Sequence, residues 1–411
     1  MRKNLIKGFY YFLLGTFLFS FPVKAENWPG WRGPRGDGSS LSETVALQWD
    51  IGKDTVWKTK IRGIGHASPI VWEDRIFLVS AVEEDKSRIL FCLDRDSGKI
   101  LWQKTVLVSE FEGIHRLNSR ASSTPVTDGE SVFVSFLHGG KMFVAAFDFD
   151  GKRLWQKEPG GFSSKHGYCS SPVLWKDKLI INGDHDGDAY LVALDKKTGK
   201  EIWKTDRPNR TRSYCTPLLR TIEGRNQMIL SGSKSVASFD PDNGKQHWLI
   251  DGPTEQYVAS LVYNGSLLFL TCGFPERHML AIDPTGSGNV TKTHVPWRDT
   301  KGASYVPSPV AIGEYFLVVS DNGVGTCFVA KTGEQLWQKR LPGKHSASMI
   351  SARGYAVFLS DKGVMSVVKP GKEFKIAFQS ELGEETYASP VIHNDQWIIR
   401  GVDHLYCIGK K

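Results

Sequence analysis

The sequence predicts an all-β protein, an eight-bladed β-propeller of four-stranded antiparallel blades. Three observations predict it. A unit of about 45 residues recurs along most of the 411-residue chain, a length in the range of propeller blades. Each copy offers short apolar runs separated by turns, without helical periodicity. The last copy lacks its final strand, and a matching strand stands alone near the start of the chain.

The head of the unit is a hydroxyl residue, usually followed by Pro and an apolar run. It reads Ser68-Pro69-Ile70-Val71, Thr124-Pro125-Val126, Ser171-Pro172-Val173-Leu174, Thr216-Pro217-Leu218, Ser308-Pro309-Val310 and Ser389-Pro390-Val391. Weaker copies stand at Ser260-Leu261-Val262 and Ser348-Met349-Ile350. Two more apolar runs follow, such as 75–80 and 89–93. The tail is Asp, a Gly-Lys turn and a strand carrying Trp, as in Asp94-Arg95-Asp96-Ser97-Gly98-Lys99-Ile100-Leu101-Trp102. The turn closes the hairpin between third and fourth strands. The Trp recurs at Trp57, Trp102, Trp155, Trp203, Trp248, Trp297 and Trp337, with spacings of 45, 53, 48, 45, 49 and 40. Phe378 takes its place 41 residues later. A large flat side chain at a fixed place in every repeat is expected to pack between blades rather than to hold a ligand.

The eighth copy begins at Tyr387 and supplies three strands, ending at Leu405-Tyr406-Cys407-Ile408. Its missing Trp strand is read at Asp54-Thr55-Val56-Trp57-Lys58-Thr59-Lys60. The two ends of the chain would then complete one blade, which pairs an otherwise open sheet edge. Seven blades is the alternative count, because the fifth copy is degenerate from Pro284 to Pro296.

Ahead of the propeller, read as residues 47–411, residues 1–25 have the form of a signal peptide. A basic start, Met1 to Lys7, precedes a mostly apolar stretch from Phe9 to Phe21, too short for a comfortable membrane span, and Val23-Lys24-Ala25 fits a small-x-small cleavage site. An uncleaved anchor is the alternative. No Cys stands near that site, so lipid attachment is not expected, and residues 26–46 form an N-terminal arm. These features imply a periplasmic or secreted protein with no transmembrane span after cleavage. The formal charge of +8 falls to +4 without residues 1–25, since Arg2, Lys3, Lys7 and Lys24 leave with them. That balance, with no basic run interleaved with aromatics, argues against nucleic acid. A monomer is expected.

The six Cys form no C-x-x-C motif, which removes covalent c-type haem, thioredoxin-like chemistry and a Cys-rich zinc site. Cys169 and Cys215 occupy matching places in adjacent repeats, and a disulfide between them is left open. No G-x-S-x-G, H-E-x-x-H or P-loop motif is present, so no catalytic residue is assigned.

In a blade whose first strand is innermost, the residues just before each head converge on the mouth of the central channel, the usual place for a ligand. They are His66, Arg120, Tyr168, Tyr214, Tyr257, Tyr305, His345 and Tyr387. The bland alternative is that amphipathic rings suit a strand start with one end in water. Loops on the same face add His115, Arg116, Lys165, His166, Arg207, Arg210 and Arg212, cations suited to a small acidic ligand. The hairpin Asn182-Gly183-Asp184-His185-Asp186-Gly187-Asp188 places Asp184, Asp186 and Asp188 as oxygen donors for calcium, although tight turns favour the same residues. If a ligand binds, it is expected over blades two to four, touched by Arg120, Tyr168, Arg212 and Tyr214.

The Ser-Pro-Val heads and Asp-x-x-x-Gly-Lys-x-x-Trp tails resemble the pyrroloquinoline quinone (PQQ) repeat family, and Asn27-Trp28-Pro29-Gly30-Trp31-Arg32-Gly33-Pro34 looks like the opening of exported propellers of that kind. The resemblance covers roughly residues 28–411. It implies one of two roles. The first is a BamB-like binding or scaffold protein of the cell envelope, non-catalytic, with envelope proteins or a small acidic ligand as partner. The second is a quinoprotein dehydrogenase that oxidises an alcohol or sugar with PQQ and calcium. The chain has no adjacent Cys pair and no haem motif to pass electrons onward, which places the binding role first.

Overall fold

The computed structural model describes residues 26–410; the signal-peptide reading falls on 1–25, outside the described residues. Eight antiparallel sheets of at least four strands follow one another around a ring. Blade 1 runs through Ile70–Trp72, Arg75–Val82, Ser87–Asp94 and Ile100–Val108. Blades 2 to 7 repeat that order, beginning at Val126, Val173, Leu218, Val262, Val310 and Ile350. Blade 8 takes Val391–His393, Gln396–Arg400 and His404–Ile408 from one end of the chain and Thr55–Lys60 from the other. Eight blades, closed through both ends, is therefore the observed count. The one helix among the described residues is a single turn, Ile51–Asp54, whose first turn is capped by the Asp50 carboxylate.

The recurring head hydroxyl has a structural reason. The backbone N–H of each head residue donates to the head hydroxyl of the next blade. Ser68 donates to Thr124, Thr124 to Ser171, Ser171 to Thr216 and Thr216 to Ser260, at 2.9 to 3.1 Å. Ser260 donates to Ser308, Ser308 to Ser348 and Ser348 to Ser389, each at 2.9 Å. First strands of neighbouring blades therefore touch, and they form the inner wall. Only a residue with both an N–H and a short hydroxyl can pass this chain of bonds along. The joint between blades 8 and 1 is the exception, for the Ser68 hydroxyl is buried without a partner.

The Trp ladder packs blade against blade. The indole N–H of Trp57 donates to the Arg95 carbonyl at 3.0 Å, that of Trp102 to Phe149 at 2.8 Å and that of Trp155 to Lys196 at 3.0 Å. Trp203, Trp297 and Trp337 bond to Pro241, Ala330 and Gly371 in the same way. Every acceptor lies in the turn before the next blade's fourth strand. The turn glycine lies flat on the ring: a Cβ on Gly199, at φ +69°, would stand 2.7 Å from Trp155. The tail glycines that lie under an indole, such as Gly98, Gly199, Gly244 and Gly333, are thus required twice, for their conformation and for the approach of the ring.

Blade 5 breaks this rule, which explains its degenerate sequence. Its connection 283–296 swings out, and Gly288–Asn289 adds a fifth, parallel strand to blade 4 beside Trp248 and Leu249. Trp248 is fully buried beneath it and donates inward to Gln227 Oε1 at 2.8 Å.

The arm spans the opposite end of the ring from the blade-to-blade loops. Trp28 pairs with Val71 of blade 1 through two backbone bonds, and the Pro29 carbonyl accepts from Thr127 of blade 2. Trp31 Nε1 donates to Ser260 Oγ at 3.3 Å, and Arg32 Nη2 to the carbonyls of Pro309 (2.6 Å) and Met349 (3.2 Å). Asp37 pairs with Arg220 at 2.7 Å, and Ser39 bridges to Ser351. These contacts reach first strands of blades 1, 2, 4, 6 and 7 and the head of blade 5, so residues 27–40 lie across the inner opening. All six cysteines are free, Cys169 and Cys215 included.

Candidate functional site

With the arm across one end, the accessible mouth is the face of the inter-blade loops. Loop 107–121 is fixed by Arg88, whose buried guanidinium donates to Ser109 O and Oγ, both at 2.8 Å, and to Glu112 Oε2 at 2.7 Å. The Phe111 ring lies 4.4 Å from that guanidinium and 4.6 Å from that of Arg120, which also pairs with Glu83 at 3.0 Å. Arg120 thus belongs to the loop over blades 1 and 2.

The next two connections meet. The Tyr214 hydroxyl lies 2.7 Å from Ser164 Oγ and 3.0 Å from His166 Nδ1, and the His115 ring stands edge-on to His166 at 5.5 Å. Burial and the nearby Arg212 charge lower the His166 pKa, which favours a neutral ring able to accept a hydrogen bond from the tyrosine hydroxyl. Burial raises the Tyr214 pKa. Across the mouth, the Tyr305 hydroxyl donates to Gln256 Oε1 at 2.8 Å, and burial pushes its pKa up to about 12.

The three hairpin carboxylates each face an arginine from loop 206–212. Asp184, with no exposure, receives two bonds from Arg207, at 2.9 and 3.1 Å. Asp186 accepts twice from Arg212 Nη1 at 2.7 Å, and Asp188 pairs with Arg210 at 3.0 Å on the surface. The structure therefore puts arginine where calcium was expected. In the sequence, three alternate acids and three spaced arginines 22 to 26 residues on were the available signal for this pairing.

The remaining candidates divide by environment. The Tyr168 hydroxyl is buried 3.3 Å from Ser135 Oγ. Tyr257 is fully buried and donates to the Gly252 carbonyl at 2.7 Å. His345 is buried, and desolvation lowers its pKa to about 4. His66 and Tyr387 stack on each other at the joint of blades 8 and 1, ring centroids 4.7 Å apart. Of the expected set, then, His166, Arg212, Tyr214 and Tyr305 share the mouth, and Arg120 and Tyr168 do not join them. His115, expected among the loop cations, belongs to that group, and so do Ser164 and Gln256, which were not anticipated.

A quinone bearing carboxylates needs free cations, and calcium needs free carboxylates. Five arginines on this face, Arg88, Arg120, Arg207, Arg210 and Arg212, are each held by a carboxylate of the chain, while Arg116 and Lys165 on the same loops are exposed. The carboxylates expected to hold calcium, Asp184, Asp186 and Asp188, are each taken by an arginine, so the hairpin does not fit calcium and no step is routed through such a cofactor. Among the described residues one trio, Glu384, Asp403 and His404 on blade 8, places three potential metal ligands together, and Glu384 already accepts from His404 Nδ1 at 2.8 Å.

The family model described as outer membrane protein assembly factor BamB matches residues 42–158 and 85–338, well over half of the chain. The chain belongs to that family. It is 21% identical over 372 residues to outer membrane protein assembly factor BamB of Shewanella oneidensis, covering 87% of this chain and 79% of that one. It is 27% identical over 242 residues to quinoprotein ethanol dehydrogenase of Pseudomonas putida, covering 55% of this chain and a third (33%) of the enzyme. Among solved structures, BamB from Moraxella catarrhalis superposes with a TM-score of 0.60 at 14% identity, covering 87% of this chain and 97% of that one. Europium-containing methanol dehydrogenase does so with 0.67 at 13%, covering 92% and 90%. At these identities the structures establish the shared propeller.

Proposed function

We propose that this BamB-family propeller is a binding scaffold of the cell envelope that takes part in outer membrane protein assembly by docking another protein on its loop face. The observation that carries this reading is an apolar patch at the loop end of blade 1. Ile64, Val108 and Leu117 are 49%, 61% and 52% exposed. Ile64 bridges to Ala81, and Val108 pairs with Ser87 in the same blade. A groove of about 460 Å³ opens at Ile64, lined also by Lys60, Ile61, Arg62, Phe91, Ile100 and Asp403. Exposed aliphatics grouped beside a groove on an otherwise paired polar face mark a protein-binding surface. Among the described residues no helix is long and apolar enough to cross a membrane. The family's envelope role, together with the reading of residues 1–25, supports export to the periplasm.

The experiment is cross-linking in envelope fractions with a photoreactive residue at Val108 or Leu117, followed by the double variant Val108→Asp, Leu117→Asp. A discrete adduct with an envelope protein that the double variant loses, with the melting temperature kept, supports the scaffold. No adduct from either position overturns it. Substrate-dependent dye reduction on addition of PQQ and calcium would favour the dehydrogenase reading.

A further inference from the structure

Among the described residues six cationic side chains are buried: Arg32, Arg88, Arg95, Lys178, Arg207 and Arg400. Five have a carboxylate at hand. Arg88 pairs with Glu112, Arg95 with Asp96, Lys178 with Asp177 and Arg207 with Asp184, while Arg32 lies in the field of Asp37. Arg400 is different. It is 1% exposed, at the end of the second strand of blade 8, and burial alone acts on its charge, with no acid close enough to offset it. Its guanidinium crosses to blade 1, where Nη1 donates to the Val79 carbonyl and Nη2 to Ser80 Oγ, both at 2.7 Å. Its Nε has no partner.

The same joint holds the break in the inner hydroxyl chain. Seven head residues donate to the next blade; Ser389 to Ser68 is the missing link, and the Ser68 hydroxyl is buried without a partner. In strand register Ser68 falls beside Val79, the carbonyl that Arg400 engages, because Ile70 pairs with Phe77 and two residues further out on each strand gives that pair. An uncompensated guanidinium and an unused hydroxyl therefore both lie buried at the joint of blades 8 and 1. A buried charge without a counter-charge costs several kcal/mol, far more than a neutral orphan group. The walls are close: a Cβ on Gly65 would stand 2.6 Å from Val79 O and 3.0 Å from Arg400 Nη2. The neutral His66 adds no charge of its own, since burial and Arg400 lower its pKa to about 4.

We propose that the seam between blades 8 and 1 binds a small monovalent anion of halide type, held by Arg400 and the Ser68 hydroxyl, which locks the ring where its inner hydrogen-bond chain is interrupted. An anion accepts from both groups and neutralises the guanidinium, which a water cannot do. Binding to the folded ring alone raises stability with anion concentration.

The test uses the whole exported chain in chloride-free buffer with sodium bromide as probe. Crystals soaked in bromide should show an anomalous peak in contact with Arg400 Nε and Ser68 Oγ. The melting temperature should rise with bromide but not with gluconate at equal ionic strength, gluconate being too large for the seam. Ser68→Ala keeps the backbone bond to Thr124 and should weaken the bromide dependence about tenfold, the loss expected for one hydrogen bond to a charged group. Arg400→Met should abolish it; if that variant fails to fold, the peak and the Ser68→Ala titration decide. Water at the seam with no anomalous signal, or equal melting in bromide and gluconate, overturns the proposal.

Discussion

Trp57 lies directly opposite Cys407 in the antiparallel pair that joins the two ends of the chain. That register closes the ring, and the Trp57 indole carries the closure on to blade 1 through the Arg95 carbonyl. Deleting residues 47–60 should leave the edge of His404–Ile408 open and give aggregation or a large fall in melting temperature. Trp57→Ala should cost about 3–5 kcal/mol by denaturant unfolding, as for other buried aromatics cut to Ala. An unchanged melting temperature in the deletion would refute closure through the N-terminal strand.

Gly199 and Gly224 separate two costs. Both have positive φ, +69° and +77°. A Cβ at Gly199 meets the Trp155 ring at 2.7 Å, and one at Gly224 meets nothing within 4 Å. Gly224→Ala should cost about 1 kcal/mol, from the left-handed backbone alone. Gly199→Ala should lose about 1–3 kcal/mol more, because the indole must leave its seat. Equal losses in urea unfolding would show that the indole contact is not tight.

The propeller was legible because its physics repeats. A hydroxyl that must both accept and pass on a bond recurs at seven of the eight joints, and a glycine under an indole at most of them, and so they print a period on the sequence. The blade count was harder at Pro284 to Pro296, where chain that leaves one blade to cover its neighbour obeys neither rule. The mouth was only partly legible. Tyr214 and Tyr305 could be placed by repeat position and His166 and Arg212 by their loops, but Tyr257 and His345 occupy the same repeat position and turn inward, Tyr257 to the Gly252 carbonyl. What distinguishes them is the length and course of each loop, which repeat position does not encode. In strand register Arg400 falls opposite the head Ser389, where other blades carry uncharged residues such as Val79, Ser135, Asn182 and Val319, a departure visible only once blades are superimposed on their strands.

The three acid–arginine pairs of blade 3 should differ steeply in worth. Asp184→Ala leaves Arg207 buried and unpaired, and such a loss costs about 3–5 kcal/mol. Asp188→Ala removes a partner from an arginine already in water, and its effect should stay within about 0.5 kcal/mol. Thermal unfolding of the two variants side by side checks this. Equal effects would mean that the Asp184 pair is not sealed from solvent.

The last prediction concerns acid. His66, His345 and His393 each have a pKa lowered to about 4, chiefly by burial, with Arg400 and Arg95 adding to it at His66 and His393. In the unfolded chain each would titrate near 6.5. Between those values the unfolded state binds protons that the native state refuses, so stability falls as pH drops. The loss begins near pH 6.5 and levels off below about pH 4, at up to about 1.4 kcal/mol per pH unit for each histidine. The melting temperature should therefore decline through this window, before most carboxylates titrate. His345→Gln and His393→Gln should flatten the decline step by step, because a neutral amide carries no proton linkage. A profile of the double variant that still follows wild type between pH 6 and 5 would show that these two rings take up protons in the folded state as readily as in the unfolded one.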